Sequence, residues 1–78
     1  ELEQKALALD DSLPRAHIIL SWVYMVQAKY EPAVAAAERA IALDPNDAGS
    51  YAGQAQVLNS AGRPEEALQS MEQAMRLF

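Results

Sequence analysis

Along the chain the apolar positions recur with the period of a helix. Between Pro14 and about Gln27 they fall at 16, 19, 20, 23, 24 and 26, three or four residues apart, which gathers them on one side of an amphipathic helix. Ser12 is placed to cap its start, and Pro14 suits a first turn, where a missing N–H costs no hydrogen bond. Ala28-Lys29-Tyr30 is expected to turn the chain. A second helix is predicted from about Glu31 to Leu43, with Pro32 in its first turn and Pro45 beyond its end. Asp47 is the expected cap of a third helix, roughly Ala48 to Ala61. Gly62 supplies a left-handed residue to close it, and Pro64-Glu65-Glu66 opens a fourth with acids at its positive end. Residues 1–10 read as the tail of one further helix, so five helices are expected, the first partial. No segment alternates as a strand would.

The pattern itself repeats. Lys5-Ala-Leu-Ala-Leu-Asp10, Arg39-Ala-Ile-Ala-Leu-Asp44 and Gln73-Ala-Met-Arg-Leu-Phe78 align, each starting 34 residues after the last. The same offset carries Tyr30-Glu31-Pro32-Ala33-Val34 onto Pro64-Glu65-Glu66-Ala67-Leu68, and His17 onto Tyr51. A period held over two intervals divides the chain into residues 1–13, the second-helix half of a preceding unit; residues 14–47, a complete unit; and residues 48–78, a unit short of its last residues.

Composition narrows the class. Of 78 residues 51% are hydrophobic and 22% charged, a balance that excludes a disordered tail, and sixteen are alanine, the best helix former. The net charge of −5 and an isoelectric point near 4.6 argue against a partner held by its phosphate backbone. With no cysteine, disulfides, thiolate metal sites and thiol catalysis are excluded. Ile18 to Val26, the most apolar stretch, spans nine residues, against the ~20 that a membrane helix needs. Glu1-Leu2-Glu3-Gln4-Lys5 is not the start of a signal peptide. The chain begins and stops within helical pattern, which points to a segment of a longer protein. A cytoplasmic place is expected, and lack of cysteine fits a periplasmic one equally.

The repeating helix–turn–helix unit resembles the tetratricopeptide repeat. In residues 14–47 the residues that carry the likeness are Leu20, Ser21, Tyr24, Tyr30, Ala33, Ala40 and Pro45, with His17 where tryptophan is usual and Ala37 where a large ring is usual. In residues 48–78 they are Tyr51, Ala55, Gly62, Ala67, Met71 and Ala74, while Gln54 and Leu58 depart from the pattern. Ala6, Leu7 and Leu9 keep the register earlier in the chain, with Asp11 in the proline position. The resemblance implies an all-α fold of antiparallel helix–turn–helix repeats stacked as a right-handed α-solenoid. Small Ser21 and Ala33, and Ala55 and Ala67, are expected where backbones approach closely. Leu20, Tyr24, Val34, Ile41, Leu58, Leu68 and Met75 are expected to fill the seams between helices.

In such a stack the first helix of each unit lines a concave groove, as the resemblance implies. The groove positions are then Arg15, Ile18, Trp22, Met25 and Val26 in one unit and Gly49, Ala52, Gln56, Asn59 and Ser60 in the next. Ile18, Trp22 and Met25 sit at i, i+4 and i+7 on one helix face, a candidate apolar patch beyond the core side supplied by Leu20, Val23 and Tyr24. The alternative is that Trp22 packs on neighbouring repeats. Some relatives grip peptide carboxylates with lysine, asparagine and arginine here; Ile18, Trp22 and Gln56 stand in those places, so the resemblance implies apolar anchoring instead. Gln56 and Asn59 would then hydrogen-bond to the bound backbone, and Gly49 and Ala52 would leave it room.

Chemistry is not indicated. His17 is the sole histidine and reads as a packed core imidazole, no serine has a triad's partners, and Gly49, Gly53 and Gly62 do not form a phosphate loop. Asp44-Pro-Asn46-Asp47-Ala-Gly49 has the look of a calcium loop, but Ala55 stands where the bidentate glutamate belongs. Glu65, Glu66 and Glu72 read as a solvated face. The sequence therefore predicts a non-catalytic protein–protein interaction module, with no cofactor, metal, nucleic acid or membrane, binding a protein or peptide partner through an apolar groove. The alternative is a structural module that forms a homodimer through open terminal repeat faces. The Gly62-Arg-Pro-Glu-Glu-Ala-Leu68 phrasing is similar to repeats in bacterial signalling and regulatory proteins.

Overall fold

The computed structural model describes residues 12–78. Four helices follow one another: α1 (Pro14–Val26), α2 (Tyr30–Leu43), α3 (Ala48–Ser60) and α4 (Pro64–Leu77). Among the described residues there is no strand, and no helix is long and apolar enough to cross a membrane. The expected partial helix of residues 1–10 lies outside the described residues.

Both helix pairs close through the same device. Gly62 adopts φ 78°, Arg63 N–H returns to the Leu58 carbonyl at 2.9 Å and Gly62 N–H to Asn59 at 3.1 Å. One period earlier Ala28 adopts φ 60°, with Lys29 N–H on the Tyr24 carbonyl at 2.9 Å and Ala28 N–H on Met25 at 3.0 Å. These are paired Schellman closures, one built on the residue that suits a left-handed backbone and one on a residue that does not. Helix starts differ from expectation. The cap position of α1 is Leu13, one residue after Ser12, and its side chain makes no capping bond. Asp47 does stand at the cap of α3, but its carboxylate accepts the Ser50 hydroxyl at 2.7 Å rather than a backbone N–H.

The pairs α1–α2 and α3–α4 pack most closely, and α3 also lies against α2 and α1. Small residues permit this. Ser21 and Ala33 are fully buried, and the Ser21 hydroxyl donates to the Ala33 carbonyl at 2.7 Å, a direct measure of how near the two backbones come. At the same register of the second pair Ala55 and Ala67 are buried. Leu20 packs on Ala36 in the first pair. Its period mate Gln54 instead accepts a hydrogen bond from Ser70 at 2.8 Å, so an apolar pair has been exchanged for a matched polar one. That exchange accounts for Gln54 in a seam that otherwise favours leucine, because a half-buried amide needs its partner.

The main core joins both pairs: Ala33 and Val34 of α2, Ala55, Val57 and Leu58 of α3, and Ala67 of α4. Leu20, Val34 and Leu58 are buried as the spacing predicted, with Tyr24 and Ile41 half-buried. Leu68 and Met75 are not seam residues: they are 62% and 67% exposed. Leu68 takes the register of Val34, which is buried in one cluster with Val57 and Leu58 of α3, and Met75 that of half-buried Ile41, while among the described helices α4 packs on α3 alone.

Candidate functional site

The expected groove positions divide on inspection. Trp22 is 40% exposed and Val26 81%, and they stand one turn apart on α1. Arg15 is exposed on the same face, a further two turns back. Met25 is half-buried and packs with its apolar stem against the main core. On α3, Gly49, Gln56, Asn59 and Ser60 are exposed and Ala52 is half-buried. Since 22 and 56, 25 and 59, and 26 and 60 are period mates on two helices that touch, the exposed members form two adjacent columns.

Ile18 does not belong to that surface. It is 5% exposed and packs with Ala37 and Ala40 of α2. Its γ and δ carbons also press on Gly53 of α3, where a Cβ would lie 2.9 Å from both Cγ2 and Cδ1. The helical spacing that grouped Ile18 with Trp22 and Met25 is correct for a lone helix. It could not tell that α3 arrives on the Ile18 edge of the face and leaves the Trp22 edge open. Ile18 thus supports the site from beneath by fixing how α1 meets α3.

A shallow depression of about 330 Å³ adjoins the α3 column. Gln56 and Asn59 line it together with Leu68 and Met71 of α4. Leu68 was expected in a seam between helices and Met71 was a match to the family pattern, and their period mates Val34 and Ala37 are buried. What distinguishes them is the neighbour that α2 has and α4 lacks among the described helices.

No catalytic arrangement emerges among the described residues, and none of them forms a group of three or more potential metal ligands. His17 is buried beside Leu20 and Tyr24, as expected of a core imidazole. The acids of the calcium-like segment are engaged locally, Asp44 with Asn46 N–H at 3.1 Å and Asp47 with Ser50. At the α3–α4 turn Arg63 Nη2 donates to Glu66 Oε1 at 2.9 Å. That bond holds the Glu66 carboxyl below the usual carboxylate value.

Helix pairs of this size, closed at a 34-residue interval, can be compared with known families. Residues 14–47 match one family model described as tetratricopeptide repeat, and residues 36–69 match a second with the same description. The chain belongs to the tetratricopeptide repeat family. No match emerges from comparison with curated proteins. Tetratricopeptide repeats are in general non-catalytic modules that bind other proteins, so the exposed α1 and α3 columns are surfaces on a scaffold of that kind.

Proposed function

We propose that this tetratricopeptide module binds a segment of a protein partner along Arg15, Trp22, Met25 and Val26 of α1 and Ala52, Gln56 and Asn59 of α3. In this reading the helix pairs wind as a right-handed solenoid with α1 and α3 on its concave side. Ile18, named with that set from the sequence, acts as the support under it. The observation that carries the reading is a part-exposed tryptophan next to an almost fully exposed valine, on a helix whose opposite face already has its core. Large apolar groups in such positions serve as anchors, and aromatic anchors dominate interface energetics.

The magnitude is sufficient for recognition. Covering the exposed two-fifths of Trp22, on the order of 100 Å² at ~25 cal/mol/Å², is worth about 2–3 kcal/mol, or ~30- to 150-fold in affinity. Gln56 and Asn59 would supply directional bonds to the segment's backbone, while Arg15 favours an acidic residue at its edge. A peptide library selected on the wild-type chain tests this. Selected peptides should bind Trp22→Ala at least tenfold more weakly while its helical circular dichroism is unchanged. Equal binding to both proteins would remove the reading.

A second reading, self-association, is favoured by the exposure of Leu68 and Met75. Light scattering over a wide concentration range tests it: a dimer mass supports it, and a constant monomer mass excludes it.

A further inference from the structure

We infer, building on the partner-binding reading of the α1 and α3 columns, that the protein segment they take is uncharged along its covered length, made of apolar, hydroxyl and amide side chains, with charges only beyond its ends. The observation is where this chain keeps its own charges. α2 carries Glu31, Glu38 and Arg39, and α4 carries Glu65, Glu66, Glu72 and Arg76, all exposed. α3 has no charged residue, and α1 has Arg15 alone. Burial does not explain the difference. Trp22 and Val26 of α1 are exposed, and so are Gly49, Gln56, Asn59 and Ser60 of α3. An exposed helix surface is ordinarily rich in lysine and glutamate. Here it is apolar on one helix and amide or hydroxyl on the next.

Two opposing effects decide what such a face accepts. The net charge of −5 sets up a field that draws in basic segments. Among the described residues, however, the acids stand on α2, α4 and the α2–α3 turn, none of them in the two columns. A lysine or glutamate laid over Trp22 and Val26 would give up its water and meet no opposite charge. That desolvation outweighs a screened attraction to acids elsewhere on the molecule. Gln56 and Asn59, neighbours on one face of α3, offer amide donors and carbonyl acceptors together, which match an extended backbone and favour neither sign of charge. The rim is different. Arg15, two turns from Trp22, shares a depression with Asp44 and Asp47, so both signs occur there and a partner's flanking charges have a place. A neutral centre with charges at its edge separates two tasks: the centre supplies affinity, and the rim adjusts the rate of encounter.

The probe is a random-peptide library selected on the 78-residue chain, followed by a charge scan of the tightest peptide. The selected peptides should share a central run without lysine, arginine, aspartate or glutamate. Lysine and glutamate at the centre of that run should each weaken binding about tenfold or more. Affinity should change less than about twofold between ~20 and ~500 mM salt, since no ion pair is there to be screened. Selection on Gln56→Glu should instead return peptides with a central lysine or arginine, because the variant supplies the missing opposite charge. Enrichment of a basic or acidic run on the wild-type chain, with affinity that falls steeply in salt, would overturn the inference. If those peptides still lose affinity on Trp22→Ala, the face stands and only its charge preference is wrong. Peptides indifferent to Trp22→Ala, or no selected peptide at all, would remove the partner-binding reading itself and this inference with it.

Discussion

Gly49 and Gly53 lie one turn apart on α3, and alanine at the two positions should have opposite effects. Either substitution gains helix propensity, at most ~1 kcal/mol. At Gly49 a new Cβ meets only the Asp47 carboxylate at 3.5 Å, an ordinary contact, so the gain is kept. At Gly53 the same Cβ would lie 2.9 Å from Cγ2 and Cδ1 of Ile18. Ile18 cannot easily withdraw, since it is held between Ala37 and Ala40, and Cγ2 sits close to the backbone. Overpacking of this kind costs about 1–3 kcal/mol, which cancels or exceeds the propensity gain. The two variants should therefore differ by ~1–3 kcal/mol, with Gly49→Ala above wild type and Gly53→Ala at or below it. Urea unfolding followed at 222 nm resolves this, because a slope of about 1 kcal/mol/M separates the midpoints by roughly 1 M or more. Ile18→Val removes one of the two crowded carbons and should recover part of the Gly53→Ala loss. If Gly53→Ala stabilises as much as Gly49→Ala, the close α1–α3 approach at Ile18 is wrong, and with it the supporting role given to that residue.

Three further outcomes follow from the geometry. Ala28→Gly should stabilise the chain by ~1 kcal/mol and Gly62→Ala destabilise it by a similar amount, since both hold a left-handed backbone; midpoints that move the other way would contradict the φ values. Ser21→Ala should cost about 0.5–1.5 kcal/mol in the same unfolding assay by removing the hydroxyl's bond to the Ala33 carbonyl, which keeps its helical N–H donor, and a neutral result would show that bond to be unimportant. Glu66, whose carboxyl is held below its ordinary value by Arg63, adds stability above the unfolded-state carboxylate pKa and loses it as pH falls through the depressed folded value. Carboxyl NMR titration should show that depression and its disappearance in Arg63→Gln.

Much of the fold was legible because the repeat compares the chain with itself. The 34-residue offset located both helix pairs, and the size of Ser21 and Ala33 announced the close approach that their 2.7 Å hydrogen bond now measures. Ala28 was also within reach: its period mate is Gly62, and the left-handed turn follows from that alignment. The exchange of Leu20–Ala36 for Gln54–Ser70 was harder, since each residue makes sense only with a partner sixteen positions away on another helix. Site residues were read less well for a physical reason. Helical spacing says which side chains share a face, as with Ile18 and Trp22, but the arrival angle of the neighbouring helix decides where that face is cut into core and surface. Leu68 and Met75 show the converse. Their pattern is that of a seam, and exposure depends on whether a helix lies opposite.

Trp22 is the sole tryptophan, so its emission reports directly on the face assigned to the partner. Acrylamide quenching of the chain, alone and saturated with a peptide selected on it, is the most direct measurement. If the partner segment covers Trp22, quenching should fall sharply and the emission should shift to the blue. Unchanged quenching with the peptide fully bound would place recognition elsewhere on the molecule.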